Sequence, residues 1–193
     1  MRNLFRSLLF AFCAALCFPQ AASAGTVREW YPDGKIRAEK EVDENGEPRG
    51  TVKEYGEDGT LLSERRFIGG VRDGISKLYY PTGELMSEWA YKDGLRNGIS
   101  LGYYKDGKIK DRGVYANDKL EGVVRMYYPD GSLKAEMNFK NDRQDGISKT
   151  YYESGKLQYV YRHKGGRLLN RKTYGEEGKL AADQDFPFPE ALP

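Results

Sequence analysis

Residues 74–97 read GISKLYYPTGELMSEWAYKDGLRN, and this stretch decides the fold because it is one complete unit of a tandem repeat. Ile75 to Tyr80 and Leu85 to Tyr91 are rich in β-branched and aromatic residues, which favour strands. Pro81-Thr82-Gly83 between them is a turn sequence. A type I turn closed by a glycine bulge suits this spacing, so the stretch predicts a β-hairpin.

The same unit recurs at intervals of about 24 residues. One glycine series precedes the first strand of a unit, at Gly50, Gly74, Gly98, Gly122 and Gly146. A second series marks the turns, at Gly34, Gly59, Gly83, Gly107, Gly131, Gly155 and Gly178. Turn signals roughly every 12 residues leave too little room for helices. A short helix remains an alternative only around Lys179 to Asp185, where the strand pattern fades.

The repeat predicts an all-β chain of about seven tandem antiparallel β-hairpins in one elongated, twisted sheet. Neighbouring units must stack, because one hairpin cannot bury its own apolar side chains. A sheet that closes on itself or folds over into two layers is the alternative, since two layers are the usual way to cover a sheet face.

The bulged turn also predicts which side chains share a face. It sets Tyr79 opposite Leu85, and strand alternation gives a more apolar face with Ile75, Lys77, Tyr79, Leu85, Ser87, Trp89 and Tyr91. The other face then holds Ser76, Leu78, Tyr80, Met86, Glu88 and Ala90. Equivalent residues of the other units form columns that continue this division, and cross-strand pairs within the columns are expected to stabilise the sheet.

The first 24 residues have the pattern of a secretory signal peptide. Arg2 and Arg6 precede an apolar run from Leu8 to Phe18, and Ala22-Ser23-Ala24 is a small-residue cleavage site. The run is shorter than the roughly 20 residues that cross a bilayer, so a retained anchor is the less favoured alternative. We therefore expect a cleaved signal peptide at 1–24, a repeat domain at 25–186, a C-terminal tail at 187–193, and export to the periplasm or the medium.

Cleavage would leave a chain with little catalytic or metal-binding chemistry. Both cysteines would leave with the signal peptide, and loss of its two arginines would change the net charge from +2 to 0. His163, the only histidine, occupies the strand position of Tyr115 and Phe139 and reads as structural. We predict no catalytic residues, no metal and no cofactor. A net charge of zero gives no reason to expect a nucleic-acid partner, and we predict none. The sequence has no second apolar segment, so we also predict no membrane span.

One feature leaves an enzyme open as an alternative. A glutamate column runs along the more polar face, at Glu39, Glu64, Glu88 and Glu136, and paired carboxylates hydrolyse glycosidic bonds. An envelope enzyme acting on glycans could use such a pair. The column recurs in four units whereas an active site is normally unique, so a solvated face with weak ion pairs is favoured.

The repeat resembles the MORN-repeat variant of bacterial proteins, over Val27 to about Leu180. The leading glycine, the aromatic pair, the turn glycine and the strand aromatics carry the resemblance, with the same skeleton in 74–97, 122–145 and 146–167. Gly56 and Gly175 depart from it by replacing the second aromatic of the pair. Bacterial proteins of this kind are grouped with the YwqK-type putative antitoxins, and other MORN repeats are associated with scaffolding and membranes, so the resemblance implies a partner-binding role.

The second aromatic column is the predicted docking site for a protein partner, at Tyr80, Tyr104, Tyr128 and Tyr152. Tyrosine offers a large contact area and a polar tip at low entropic cost. Packing that only maintains the sheet is the alternative for these rings. We expect an exported, non-catalytic binding module. An antitoxin that neutralises a cognate toxin, a self-associating structural protein and the envelope enzyme are the other candidates.

Overall fold

The structure is a computed structural model that describes residues 24–187. The strands are β1 Gly25–Trp30, β2 Ile36–Val42, β3 Pro48–Tyr55, β4 Leu61–Ile68, β5 Val71–Arg72, β6 Gly74–Tyr79, β7 Leu85–Lys92, β8 Leu95–Tyr103, β9 Ile109–Ala116, β10 Lys119–Tyr127, β11 Leu133–Lys140, β12 Arg143–Gln144, β13 Gly146–Tyr151, β14 Leu157–Lys164, β15 Arg167–Tyr174 and β16 Leu180–Asp185. The predicted signal peptide, apart from Ala24, and the tail after Pro187 lie outside the described residues.

All sixteen strands belong to one sheet with antiparallel pairing. The strand order follows the chain from β1 to β16, while the two-residue strands β5 and β12 pair only with β4 and β11. The predicted all-β fold of tandem hairpins is confirmed, with seven hairpins in an open sheet that neither closes nor folds over within the described range. The segment left open as a helix is strand β16. Residues 24–187 contain no helix that could cross a membrane.

The hairpin turns have the predicted geometry. In the third hairpin, the Gly83 amide donates to the Tyr80 carbonyl at 2.8 Å, and the Tyr80 amide donates to the Glu84 carbonyl at 2.8 Å. Gly83 has φ +96°, a backbone conformation that a side chain disfavours. Tyr79 pairs with Leu85, as the turn spacing predicts.

The predicted division into faces is wrong, because a second bulge follows directly after the turn. After Tyr79 pairs with Leu85, Leu78 pairs with Ser87, so Met86 is an extra residue in β7. One extra residue inverts the faces of everything beyond it. Ser87, Trp89 and Tyr91 therefore lie with Ser76 and Leu78, not with Ile75, Lys77 and Tyr79. The same shift occurs in all seven hairpins.

We call the two sides of the sheet the aromatic face and the charged face. The aromatic face carries Ser76, Leu78, Ser87, Trp89, Tyr91 and their equivalents, and the charged face carries Ile75, Lys77, Tyr79, Glu88, Ala90 and theirs. Strand alternation places Tyr80 on the aromatic face, two residues after Leu78. The aromatic face is the better covered of the two.

The buried residues of the described chain are small and lie on the aromatic face. The hydrophobic ones are Ala38, Val42, Val52 and Ala135, and the polar ones are Ser63, Ser76, Ser100 and Ser148. Large side chains lie between them: Trp89 pairs with Ser76 on one neighbouring strand and with Ser100 on the other. A single-layer sheet thus builds its core within one face, by covering small residues with the large side chains beside them.

Residues of the first glycine series lie opposite ring-bearing residues across their hairpins. Gly74 pairs with Tyr91, Gly98 with Tyr115, and Gly122 with Phe139. Gly98 has φ +119°, and a Cβ placed there would lie 2.9 Å from the Cβ of Ala90. These positions therefore require glycine for backbone conformation and, at Gly98, also for space.

Candidate functional site

The four tyrosines predicted to bind a partner tie adjacent hairpins together. Each hydroxyl donates to the backbone carbonyl at the strand end of the next hairpin: Tyr80 to Tyr103, Tyr104 to Tyr127, Tyr128 to Tyr151 and Tyr152 to Tyr174, at 2.7–2.9 Å. Tyr31 does the same to Tyr55 at 2.7 Å. The rings are half-buried. Their polar tips are thus engaged within the sheet, and partner binding by these residues stays a prediction.

A different aromatic cluster lies on the aromatic face near the middle of the chain. The ring centroids of Trp89 and Tyr115 are 5.6 Å apart. The Arg96 guanidinium carbon lies 4.2 Å from the Tyr115 centroid and 5.6 Å from that of Trp89. The Arg72 guanidinium carbon lies 5.2 Å from the Tyr91 centroid. Guanidinium groups stacked on rings are held in place without losing their charge.

The two arginines differ in their partners. The backbone amide and Nε of Arg96 both donate to Asp118 Oδ1, at 3.0 and 2.9 Å, and these bonds hold the pKa of Asp118 below its usual value. Arg72 donates to the Tyr91 hydroxyl, at 3.3 Å, and no carboxylate among residues 24–187 forms an ion pair with it. Arg72 therefore offers an uncompensated positive charge beside the aromatic rings.

A shallow groove of about 310 Å³ joins these side chains. Its walls include Arg65, Arg72, Leu78, Trp89 and Arg96, with Ser76 at its floor. Arg65 is neutralised by two bonds to Glu54, at 2.7 and 2.6 Å. We call this feature the Trp89 groove. It can accept an apolar side chain against Trp89 and an anionic group at Arg72.

The charged face carries a row of mostly charged residues that crosses successive strands of the sheet. From the first strand onward the row runs Arg28, Glu39, Lys53, Glu64, Lys77 and Glu88, with alternating sign on successive strands. Leu101 interrupts it, and it resumes with Arg112, Arg125, Glu136 and Lys149. Ion pairs link Arg28 to Glu39 at 2.7 Å and Arg125 to Glu136 at 2.9 Å. We call this row the charge ladder.

The glutamate column predicted from the sequence is part of the charge ladder, and its carboxylates have partners. Glu64 accepts from the Tyr79 hydroxyl at 2.7 Å and lies 3.8 Å from the Lys53 ammonium. Glu88 accepts from the Tyr103 hydroxyl at 2.8 Å and lies 3.5 Å from the Lys77 ammonium. The arrangement stabilises neighbouring strands rather than presenting a lone acid and a lone base.

His163 occupies the ring position of its hairpin. It pairs with Gly146 across the strands, and its ring centroid lies 6.0 Å from that of Tyr161. Burial lowers its pKa, which favours the neutral imidazole. Among residues 24–187, no group of three or more His, Cys, Asp or Glu side chains is placed to hold a metal ion.

The Trp89 groove was missed because Trp89 and Tyr91 read as packing residues in the sequence. A signal was present nonetheless: Arg72 and Arg96 are 24 residues apart, and the equivalent positions of later units hold Leu120, Gln144 and Leu168. Among these positions, arginine occurs only at Arg72 in β5 and at Arg96 in β8, and both side chains line the groove at Trp89, the only tryptophan of the inner hairpins.

Comparison with known proteins agrees with the repeat architecture. The family model described as MORN repeat variant matches residues 24–44, 72–93, 96–117, 120–141 and 144–164, together more than half of the chain. No curated protein matches the chain. The matched segments coincide with hairpins of the sheet, each with the turn glycine and the strand aromatics described above. The chain therefore belongs to the MORN repeat variant family.

Proposed function

We propose that this protein is an exported, non-catalytic repeat module that binds a protein partner through the Trp89 groove. The observation that carries the proposal is the Arg72 guanidinium, which is stacked on Tyr91 and has no carboxylate partner among the described residues. Tryptophan, tyrosine and arginine are the residues that most often dominate binding energy at protein interfaces. Their convergence in one groove supports a docking role.

The chemistry of the groove selects the class of partner. An acidic side chain could pair with Arg72, while an apolar neighbour covered Trp89. Arg65 and Arg96 already have carboxylate partners, so the groove has room for one or two acidic groups rather than a highly charged polyanion. We therefore propose a protein segment that carries an acidic residue next to an apolar one.

A non-catalytic role is supported by the state of the polar groups. The glutamates of the charge ladder are engaged by cations and tyrosine hydroxyls, and the only histidine lies among rings. General acid–base catalysis needs a group within reach of a bound substrate, and hydrolysis by paired carboxylates needs one acid that stays protonated. Nothing in these contacts favours either, so the enzyme alternative receives no support.

Neutralisation of a cognate toxin is a sharper form of the same proposal. It is supported by the resemblance of the repeat to YwqK-type putative antitoxins, and the Trp89 groove would then cover an acidic surface of the toxin. Export is supported by the pattern of residues 1–24, with its basic start, apolar run and Ala22-Ser23-Ala24 site.

Site-directed photo-crosslinking tests the docking surface. A photoreactive phenylalanine analogue at Leu78 would lie in the groove, and the same analogue at Lys77 would lie on the opposite face, one residue away. We expect one defined protein adduct from position 78 and none, or different ones, from position 77. Adducts that are the same from both positions, or that come only from position 77, would refute the Trp89 groove as the docking site.

The captured partner then allows a quantitative comparison. Arg72→Gln should weaken its affinity at least tenfold, because the partner carboxylate would lose its counter-charge in a partly desolvated site. Arg66→Gln is the matched control, because Arg66 lies on the charged face. Equal affinities for the two variants, with unchanged circular dichroism, would contradict the proposal.

A further inference from the structure

The two ends of the sheet carry strands with one free side. Within residues 24–187, β1 pairs only with β2 and β16 pairs only with β15. Each therefore presents a row of backbone amide and carbonyl groups to the outside, which is a template for another strand.

The free end strand β1 has the sequence of an internal strand. Residues 25–30 read GTVREW, and residues 50–55 of β3 read GTVKEY, with four identical positions and two conservative ones. Strand β3 is covered on both sides, by β2 and by β4. The end strand of a repeat protein is expected to be atypical and polar on its outer side. Here it repeats the pattern of a strand that accepts a neighbour.

Exposure at the two ends shows what a neighbour would cover. Val27 is 39% exposed, whereas Val52, its equivalent in β3, is 9% exposed. At the same end Trp30 is 56% exposed, while its tyrosine equivalents in the inner hairpins are half-buried. At the opposite end Leu180 is 52% exposed, and Ala182 is exposed where its equivalent Ala38 is buried. Both ends thus present apolar groups at positions that are covered inside the sheet.

The register between hairpins defines how two such ends would fit. Between β2 and β3, Ala38 pairs with Glu54 and Glu39 pairs with Lys53. Applied to β16 and the β1 of a second copy, this register sets Ala182 opposite Glu29 and Asp183 opposite Arg28. On the charged face, Lys172 pairs with Asp183 at one end of the sheet and Arg28 pairs with Glu39 at the other, so charges of alternating sign would run across the junction.

We propose that two copies of this chain associate end to end, with β1 of one copy pairing with β16 of the other in the register of β2 and β3. Charge favours this arrangement over the joining of two β16 strands, which would bring Asp183 and Asp185 of both copies together. The contact is heterologous, and each added copy exposes a fresh end, so assembly is open-ended rather than closed at a dimer.

Sedimentation velocity on the purified exported protein tests this arrangement. Its average mass should rise continuously with concentration, without a plateau at twice the monomer mass. Asp183→Arg places like charges at the junction and should shift the concentration for assembly upward at least tenfold, and Arg28→Asp should do the same from the other end. Glu153→Arg, in an exposed turn far from both ends, is the control and should assemble like the unmodified chain.

Mixing the two blocked variants gives the decisive result. Asp183→Arg and Arg28→Asp chains each repel themselves, but in a mixture the introduced arginine of one variant meets the introduced aspartate of the other. At the next junction, the native Asp183 of the Arg28→Asp chain meets the native Arg28 of the Asp183→Arg chain. Opposite charges therefore face each other at both kinds of junction. Assembly should return in the equimolar mixture, which a mere loss of folding could not produce. A mixture of folded variants that stays monomeric, a discrete dimer of the unmodified chain, or an unmodified chain that is monomeric at all concentrations would overturn the proposal.

Discussion

In the pairs Tyr79–Tyr80 and Tyr103–Tyr104, the two tyrosines differ in the group that their hydroxyl reaches. Tyr103 donates to the Glu88 carboxylate on the charged face, whereas Tyr104 donates to the backbone carbonyl of Tyr127 in the next hairpin. A neutral acceptor in the backbone and a charged acceptor in a side chain have different consequences. The hydrogen bond to the backbone carbonyl links adjacent hairpins without a charged partner. The hydrogen bond to the carboxylate makes the free energy of unfolding depend on the ionisation of the phenol that donates it.

Removal of one inter-hairpin bond should have a measurable cost. Tyr128→Phe keeps the ring and deletes the hydroxyl that donates to the Tyr151 carbonyl at 2.8 Å. We expect the free energy of unfolding to fall by about 1 kcal/mol, because a part-buried carbonyl loses its partner. Urea unfolding measures this. Tyr127→Phe is the control, since no hydrogen bond of that hydroxyl is seen in the described residues, and an equal loss in both variants would contradict the role assigned to Tyr128.

Stability should decline in alkaline solution in a defined window. Burial and the bonds to Glu64 and Glu88 raise the pKa of Tyr79 and of Tyr103 to about 12, from a usual value of 10.0. Because the folded chain holds these two protons more tightly than the unfolded chain, their contribution to stability is complete below about pH 10 and is lost as the pH rises through about 12.

The absorbance of tyrosinate during a pH titration checks this assignment. The unmodified chain should show two phenols that ionise later than the rest, and the double variant Tyr79→Phe, Tyr103→Phe should lack them. Its unfolding free energy should also fall less between about pH 10 and 12. A titration in which all tyrosines ionise together near the usual pKa would show that the two phenols are not held by carboxylates.

At the scale of the hairpin, the sequence predicts the turn and misses the bulge beside it. Glycine and proline at fixed offsets identify the turn by chemistry, and the pairing of Tyr79 with Leu85 follows. The extra residue of the second bulge has no such signature. It is Arg37, Leu62, Met86, Lys110, Lys134, Gln158 or Ala181, depending on the hairpin. A conformation shared by such different side chains does not depend on the type of the extra residue, so neither residue type nor periodicity reveals it.

The turn glycines should be sensitive to substitution through the backbone alone. Gly107 has φ +83° and Gly131 has φ +93°, and a Cβ at either position would have no atom within 4 Å. Replacement by Val should therefore cost roughly 1–3 kcal/mol from strain, without any clash. Thermal unfolding measures the loss. Glu84→Val, at an exposed turn residue with ordinary conformation, should cost much less, and similar shifts for all three would contradict the turn geometry.

At the scale of the whole molecule, the sequence predicts one sheet because each repeat unit is the same kind of hairpin. The candidate site could not be predicted in the same way. Trp89, Arg72 and Arg96 come together only once the faces are assigned, and that assignment depends on the second bulge. The chemistry of tyrosine alone favours the tyrosine column as a docking site, while the geometry shows that its hydroxyls link hairpins.

The proposed export predicts the residue at which the processed chain begins. Mass spectrometry of the protein from the exported fraction should give an N-terminus at Gly25 or within a few residues of it, since the predicted cleavage site is Ala22-Ser23-Ala24. Signal peptidases accept small residues at both ends of this site. The variant Ala24→Leu is therefore the control, because its larger side chain should block processing. An intact Met1 terminus in the membrane fraction of the unmodified strain would contradict the prediction.

The linear strand order has a consequence for how the molecule folds. Each hairpin pairs only with the hairpins before and after it, so contacts join residues of the same or of adjacent hairpins. Folding can therefore start at any well-packed pair of hairpins and spread outward, and it needs no distant segments to meet first. Unfolding should begin as fraying at β1 and β16, which have one neighbour each. Hydrogen exchange should then form a gradient, slowest around Trp89 and fastest at the two ends.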